Sequence, residues 1–338
     1  LVLLLIKKFI NQSLGKATPF AYRIKTAPLF IVLPFLSYAL VDLSFANISQ
    51  NSYAAELAGN GIYHLGAAFR NNELNYKKFY ATKDTKLVLT QLRDLLKEKN
   101  NNFQTPDLHD ITREIKNRGP EKRLNVIVIV EESLSAEYLG TFGNTQGLTP
   151  NLDKLAGQSL NFTNIYATGT RTVRGLEAIT LSIPPMPGTS IIKRPGNENF
   201  FSWGSFMKER GYDNKFIYGG FGYFDNMNHF FAGNGFEVID RNVMDKDEIT
   251  FANIWGICDE DLFKRVIAEA GKSYEHKKPF FSVVMTTSNH RPFTYPDGRV
   301  DIPSHTGRPG GVKYADYALG RFIDEAQKNH GSGTLSSS

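Results

Sequence analysis

The chain is 338 residues long, more than one average domain, and its 41% hydrophobic and 22% charged residues are the proportions of an ordinary globular protein. Its formal charge of +5 is scattered without a basic block, which argues against a nucleic-acid binder. A single cysteine, Cys258, excludes an internal disulfide framework.

Leu1 to Ile6 is apolar and meets Lys7 and Lys8, so it reads as the tail of a membrane span. From 27 to 46 the chain is again nearly all apolar, with Asp42 its one charge. About twenty such residues suffice to cross a bilayer as a helix, and a proline such as Pro34 is tolerated there as a kink. Lys7, Lys8, Lys16, Arg23 and Lys25 precede the run. The positive-inside rule then puts that side in the cytoplasm and everything from Asn47 onward outside. Residues 1–48 are therefore read as membrane segment, and 49–120 as a helical linker. Within the linker, 52–69 has helical spacing through Leu57, Ile62, Leu65 and Phe69. A stronger amphipathic helix is expected over 85–99, through Leu87, Leu89, Leu92, Leu95 and Leu96. Residues 100–123 carry few apolar side chains and read as a connector.

From 121 onward, strand-like and helix-like stretches alternate. That pattern predicts an α/β fold with a mostly parallel sheet between helices. The run Asn125-Val126-Ile127-Val128-Ile129-Val130 reads as a strand buried on both faces, and Glu131, Glu132 and Ser133 follow at its end. Ligands of open α/β sheets bind beyond the carboxyl ends of the strands. Side chains alternate along a strand, so Glu131 and Glu132 point in different directions. A helix should start after Thr149-Pro150-Asn151, and a second strand is expected over 160–166. The turn Gly169-Thr170-Arg171-Thr172-Val173-Arg174-Gly175 then gathers two hydroxyls and two guanidiniums. A helix over 175–183 would aim its amides at this turn and favour an anion there.

Further on, 200–210 reads as a helix and 215–218 as a strand. The glycine-rich 219–226 lacks the Gly-Lys-Ser/Thr ending of a P-loop. An amphipathic helix follows Trp255, with Asp259 as N-cap and Glu260 and Asp261 in its first turn. A strand over 279–287 delivers His290 to the same edge as Glu132 and Thr172, and 314–329 forms a last helix. His229 and His305 are weaker candidates. A strand-end carboxylate, a hydroxyl and arginines together suit phosphoryl transfer: the hydroxyl needs a base or metal, and guanidiniums grip phosphate oxygens. The plainer reading is a solvated acidic strand end beside a solvated basic turn.

The set NVIVIVEES, LTPNLDKLA, GTRTVRG and TTSNHRPF resembles the lipoteichoic acid synthase family of membrane-anchored phosphoglycerol transferases. Their catalytic domain is of the alkaline phosphatase/sulfatase type. The resemblance covers roughly 49–330. It implies that Glu132 binds a divalent metal, Mn²⁺ or else Mg²⁺, and that Thr172 is the nucleophile and a second metal contact, with Thr170 as competitor. It implies substrate binding by His290, in Ser288-Asn289-His290-Arg291-Pro292-Phe293. It also likens the loop holding Asp225 and Asn226 to the family's headgroup-recognition loop, and Arg171 is a further candidate for substrate contact. Cys258 lies outside a Cys-x-Pro-x-Arg context and does not resemble a sulfatase's modified nucleophile.

The expected activity is transfer of glycerophosphate from an anionic phospholipid, phosphatidylglycerol, to an envelope glycan or polyol. The catalytic domain would stand on the extracytoplasmic side of the plasma membrane. The alternatives are a phosphodiester or sulfate ester hydrolase of the same superfamily, or an inactive remnant. The last arises because the family's next strand ends in Asp-His, two metal ligands, whereas here 331–338 reads Gly-Ser-Gly-Thr-Leu-Ser-Ser-Ser. The 121–338 domain is thus expected to be incomplete at its C-terminus.

Overall fold

The computed structural model describes residues 19–41, 54, 57, 59–70, 80–184 and 186–329. Two compact units divide the chain, Leu1–Leu95 and Leu96–Ser338.

In the first unit, helix α1 spans Phe20–Leu40 with Pro28 and Pro34 inside it. Its window Phe20–Ser37 has a mean hydropathy of 1.2 and buries nothing, so by length and composition it can cross a bilayer. The apolar run read from the sequence starts seven residues later, and its end, 42–46, lies outside the described residues. Helix α2, Gly61–Arg70, starts where Asn60 Oδ1 accepts from the amides of Ile62 and Tyr63. That Asx cap satisfies two of the amides a helix start leaves over. Helix α3 spans Thr85–Leu96, with Asp84 Oδ1 accepting from Leu87 N.

The second unit opens with a short antiparallel pair, β1 (Asn101–Phe103) and β2 (Arg113–Ile115), inside the segment expected to be a plain connector. A four-stranded sheet follows, in the order β3 (Val126–Val130), β6 (Phe280–Met285), β4 (Asp213–Tyr218), β5 (Glu237–Ile239). Every pairing in it is parallel.

Side-chain alternation sorts this sheet into two cores. Val126, Val128 and Val130 of β3, Phe216 and Tyr218 of β4, and Phe281, Val283 and Met285 of β6 lie on one side. There they meet α5 (Thr172–Leu181) through Val173 and Leu176, and α7 (Met227–Gly233) through Phe230 and Phe231. Ile127, Ile129, Ile217 and Val284 face the other way, onto α8 (Asp259–Glu275) and α9 (Arg308–Asn329). Burying each such side chain stabilises the fold by about 1.5–3 kcal/mol. Two shorter helices complete the layer: α4 (Pro150–Ala156), with its proline at the first turn, and α6 (Trp203–Glu209), opened by a Ser202–Ser205 capping box. Asp316 of α9 accepts from the amides of Asn151 and Leu152, so it ties α9 to the start of α4.

The strand expected over 160–166 does not form. Leu160, Phe162, Ile165 and Tyr166 are all exposed, and no ladder pairs them. β-propensity reflects packing on a sheet face, and without a neighbouring strand the propensity has nothing to act on. Asp259 is also not an N-cap. It is the first residue of α8, Cys258 holds the cap position, and the Asp259 carboxylate leaves its own helix.

Candidate active site

The pattern that sorts β3 into two faces continues past its end. Glu131 follows Ile127 and Ile129 toward α8, and Glu132 follows Val128 and Val130 toward α5. Thr172 is the first residue of α5, so its hydroxyl stands at a helix N-terminus beside the strand end. Thr172 Oγ1 donates to Glu132 Oε2 at 3.1 Å, and Ser133 Oγ donates to Glu132 Oε1 at 2.6 Å. The backbone of Glu132 is gripped as well. Its amide donates to Thr286 Oγ1 at 2.9 Å, and its carbonyl accepts from Asn289 Nδ2 at 2.8 Å. Both partners come from the segment that leaves β6.

Glu132, Arg171, Thr172, Asp225 and His290 line one open cleft, together with Tyr218, Phe224, Met227, Trp255, Met285, Thr286 and Thr287. Thr170 is exposed and is not among the lining residues. Arg174, the second guanidinium of the turn, is committed elsewhere, to buried Glu177 at 2.7 Å and to the Gly188 carbonyl. His290 Nδ1 lies 2.8 Å from the Arg291 carbonyl, which can only accept. Nδ1 therefore carries a proton, and in the neutral ring Nε2 is left as the acceptor. Trp255 packs on this ring with centroids 4.0 Å apart, and its Nε1 donates to the same carbonyl. Asp225 forms an ion pair with Lys193 at the cleft wall. Asn226 lies beside the cleft rather than on its lining, with Nδ2 donating to the Ile192 carbonyl at 3.1 Å.

Reasoning from the sequence missed Tyr218, Trp255, Thr286 and Asn289. The first and third were findable, because each sits at or just past the carboxyl end of a parallel strand, where ligands of such sheets gather. Burial, helped by the charges of Glu132, Asp225 and Asp240, pushes the Tyr218 phenol up to about 12. It therefore stays a neutral hydrogen-bond donor at neutral pH. The glycine-rich exit of β4 has a packing reason. A Cβ on Gly220 would lie 2.5 Å from the Trp255 carbonyl oxygen, and one on Gly256 2.5 Å from the Gly219 carbonyl oxygen, so these glycines let two cleft loops touch.

Behind the cleft lies a second pair of carboxyls. Glu131 Oε1 accepts from Thr286 Oγ1 at 3.0 Å, and Asp259 Oδ1 accepts from the amides of Thr287 and Ser288. Their other oxygens, Glu131 Oε2 and Asp259 Oδ2, are sealed from solvent and have no hydrogen-bond partner. Burial first, and then the charge of Asp259, hold the Glu131 carboxyl well above its usual range. Burial pushes Asp259 up to about 6 against the pull of its amide donors, with Glu132 adding to the rise. Between the ordinary carboxylate range and about pH 6 the folded chain thus holds more protons than the unfolded one. Stability from this pair is fully present below the unfolded values and is lost as pH rises through the folded ones. Without added metal, the thermal midpoint should therefore rise between pH 7.5 and 5.5. Glu131→Gln, neutral at every pH, should flatten that rise. A midpoint that falls over this interval in both proteins would contradict the assignment.

The donors nearest the cleft centre, the Glu132 carboxylate and the Thr172 hydroxyl, are hard oxygens of the kind that suit Mn²⁺ or Mg²⁺. Among the described residues no group of three or more His, Cys, Asp or Glu could hold an ion. The chain thus fits such a cation in ligand type, with two protein contacts.

Comparison with known proteins shows the family and the fold. The family model described as Sulfatase matches residues 124–333. Phosphoglycerol transferase I of Xanthomonas campestris pv. campestris is 25% identical over 250 residues, which are 64% of this chain and 33% of that protein. The lipoteichoic acid synthase of Staphylococcus aureus strain USA300 is 25% identical over 224 residues, 62% of this chain and 34% of the relative. The chain thus spans about a third of the length of these curated relatives. An alkaline phosphatase superfamily protein from Vibrio parahaemolyticus superposes with a TM-score of 0.66 at 36% identity, covering 78% of this chain and 63% of the other. The lipoteichoic acid synthase structure from Listeria monocytogenes has a TM-score of 0.55 at 23% identity, over 64% and 54% of the two chains, a likeness of fold.

Proposed function

The chain belongs to the Sulfatase family, and from that premise we propose that it is a phosphoglycerol transferase with Thr172 as nucleophile. The observation that carries this reading is the Thr172–Glu132 hydrogen bond at the start of α5. It places a hydroxyl, an acceptor for its proton and a helix N-terminus together. Glu132 Oε2 orients Thr172 Oγ1 and is the acceptor nearest to its proton. The amides of the first turn of α5 and the exposed guanidinium of Arg171 draw a phosphodiester toward that oxygen. His290 Nε2 accepts from a headgroup hydroxyl, and Tyr218 and Asp225 are the other polar groups on the wall. The Oγ1–P bond forms as the bond from phosphorus to the diacylglycerol oxygen breaks; Thr172 Oγ1 gives up its proton and the leaving oxygen takes one up, so that diacylglycerol departs as the alcohol. An acceptor hydroxyl, from an envelope glycan or polyol, then takes the glycerophosphoryl group from Thr172.

Members of this superfamily are metalloenzymes. In this chain Glu132 and Thr172 would hold the cation. When bound, it lowers the hydroxyl's pKa and neutralises charge on the phosphate. Manganese is the ion proposed, with magnesium as the alternative.

The test is product analysis with phosphatidylglycerol labelled in its headgroup glycerol. Labelled glycan together with diacylglycerol is expected. Free glycerophosphate with acceptor present would make the protein a hydrolase. The cluster of Lys and Arg before Ala27 supports an extracytoplasmic site. A reporter fused after Ser49 should read the outer side and one after Gly15 the inner, and a cytoplasmic signal after Ser49 would reverse this topology.

A further inference from the structure

Two segments meet at the mouth of the cleft, the exit of β4 at 219–226 and the turn at 253–256. The turn is held stiffly. Asn253 Oδ1 accepts from the amides of Trp255 and Gly256, Asn253 N donates to the Gly256 carbonyl, and Asn253 Nδ2 donates to Thr294 Oγ1. Arg241 ties the two segments together. Its Nη1 donates to the Asn253 carbonyl, and its guanidinium lies 4.9 Å from the centre of the Phe221 ring.

This stiff turn presents Ile254 to solvent at 80% exposure, and the neighbouring loop presents Tyr223 at 68%. Neither residue lines the cleft. Their chain neighbours do: Phe224 follows Tyr223 and Trp255 follows Ile254, both line the cleft and meet edge-on at 5.8 Å, and Trp255 packs on His290. Arginines stand on the cleft lining and on the two loops flanking it. Arg171 and Arg291 are exposed, and Arg241 is half-buried. Of the acids nearby, Asp225 is paired with Lys193, and Asp240 is buried and accepts from Gly222 N.

A rigid apolar tip carrying a tyrosine and an isoleucine, beside a cleft lined by the exposed Arg171, has the chemistry of an interfacial anchor. The ring prefers the headgroup level, the aliphatic tip the acyl boundary, and the guanidiniums the lipid phosphates. The same chain carries α1, apolar enough to cross a bilayer.

We propose that Tyr223 and Ile254 seat in the headgroup–acyl boundary of an anionic phospholipid bilayer. There they hold the cleft mouth against the lipid so that a headgroup phosphate reaches Thr172 while its acyl chains remain in the membrane. This rests on the lipid-donor reading of the site.

Cys258 is the only cysteine and is 2% exposed, so a thiol introduced at the lip can be labelled alone. The full chain with Ile254→Cys, carrying an environment-sensitive fluorophore, is reconstituted into vesicles of phosphatidylcholine and phosphatidylglycerol. Glu275→Cys, exposed at the end of α8, is the control. A blue-shifted emission quenched by lipids brominated on their acyl chains is expected at 254 and not at 275. Emission as in water at 254, as a glycan platform would give, a blue shift that brominated lipids do not quench, as a self-association face would give, or equal quenching at both positions would each overturn the proposal.

A second arm uses the double variant Ile254→Asp, Tyr223→Ser. Turnover of bilayer phosphatidylglycerol should fall roughly ten-fold, and turnover of the water-soluble dihexanoyl form should be unchanged. Equal loss on both would also overturn the proposal. If the unaltered protein turns over neither lipid, the failure is that of the catalytic reading, and the fluorophore at 254 decides the lip by itself.

Discussion

Thr172→Ala should abolish glycerophosphate transfer, and Thr170→Ala should leave most of it. The contrast follows from position. Thr172 is the first residue of α5 and its Oγ1 donates to Glu132, whereas Thr170 lies two residues outside the helix, exposed and off the cleft lining. Removing a covalent nucleophile costs on the order of 10⁴-fold or more in turnover, because no other group forms the intermediate. Diacylglycerol release from phosphatidylglycerol measures the first half of the reaction. Mass spectrometry of the protein after brief exposure to donor should find a glycerophosphoryl adduct on the peptide containing Thr172. Thr172→Ser, which keeps the hydroxyl, should retain a measurable fraction. The assignment of the nucleophile is wrong if Thr170→Ala is the dead variant and Thr172→Ala still turns over.

Glu132→Gln should be almost as severe, and for a separable reason. The amide keeps the volume, and the backbone bonds to Thr286 and Asn289 do not involve the side chain. What is lost is the charge that accepts the Thr172 proton and holds a cation. Turnover should drop on the order of 10³-fold. In the unsubstituted chain, manganese binding should be weak, because a carboxylate and a hydroxyl compete poorly with the hydration shell of a hard divalent ion. Calorimetric titration should find that weak binding and its disappearance in Glu132→Gln. Micromolar binding that survives the substitution would place the cation elsewhere and leave Glu132 a purely orienting role.

Much of this architecture is legible in the residues. The β-branched run before Glu131 announces a buried parallel strand, and alternation alone sends Glu131 and Glu132 to opposite faces. The structure adds what each face meets: a sealed carboxyl pair on one side, Thr172 on the other. Sequence also locates the Thr turn, because hydroxyls and guanidiniums cluster there. The reading of 160–166 as a strand fails for a physical reason. Local apolar pattern reports affinity for a sheet but not the presence of a neighbour, and those side chains are left exposed. The reading of Asp259 as a cap fails in a similar way. An acid at a helix start is usually bound to its own amides, and here the amides of Thr287 and Ser288, nearly thirty residues on, take the carboxylate instead. Trp255 and Asn289 carry no sequence signal of their own; their roles come from two loops brought together across the sheet.

The way β3 is held bears on how the site moves. Among the described residues β3 pairs with β6 alone, and the bonds that fix the Glu132 backbone come from Thr286 and Asn289 at the far end of that same strand. Val130 O accepts from Thr286 N, so the peptide groups of Val126, Val128 and Val130 turn toward β6 while those of Ile127 and Ile129 turn away. The strand is thus moored along one flank, like a plank hinged at one edge. Movement of residues 286–289 carries Glu132 with it through these hydrogen bonds, whereas Thr172 is held by α5, which packs through Val173 and Leu176 in the core that the valine face of β3 also lines. The distance between Glu132 Oε2 and Thr172 Oγ1 is then set by two kinds of attachment, hydrogen bonds from the exit of β6 on one side and the packing of α5 on the other.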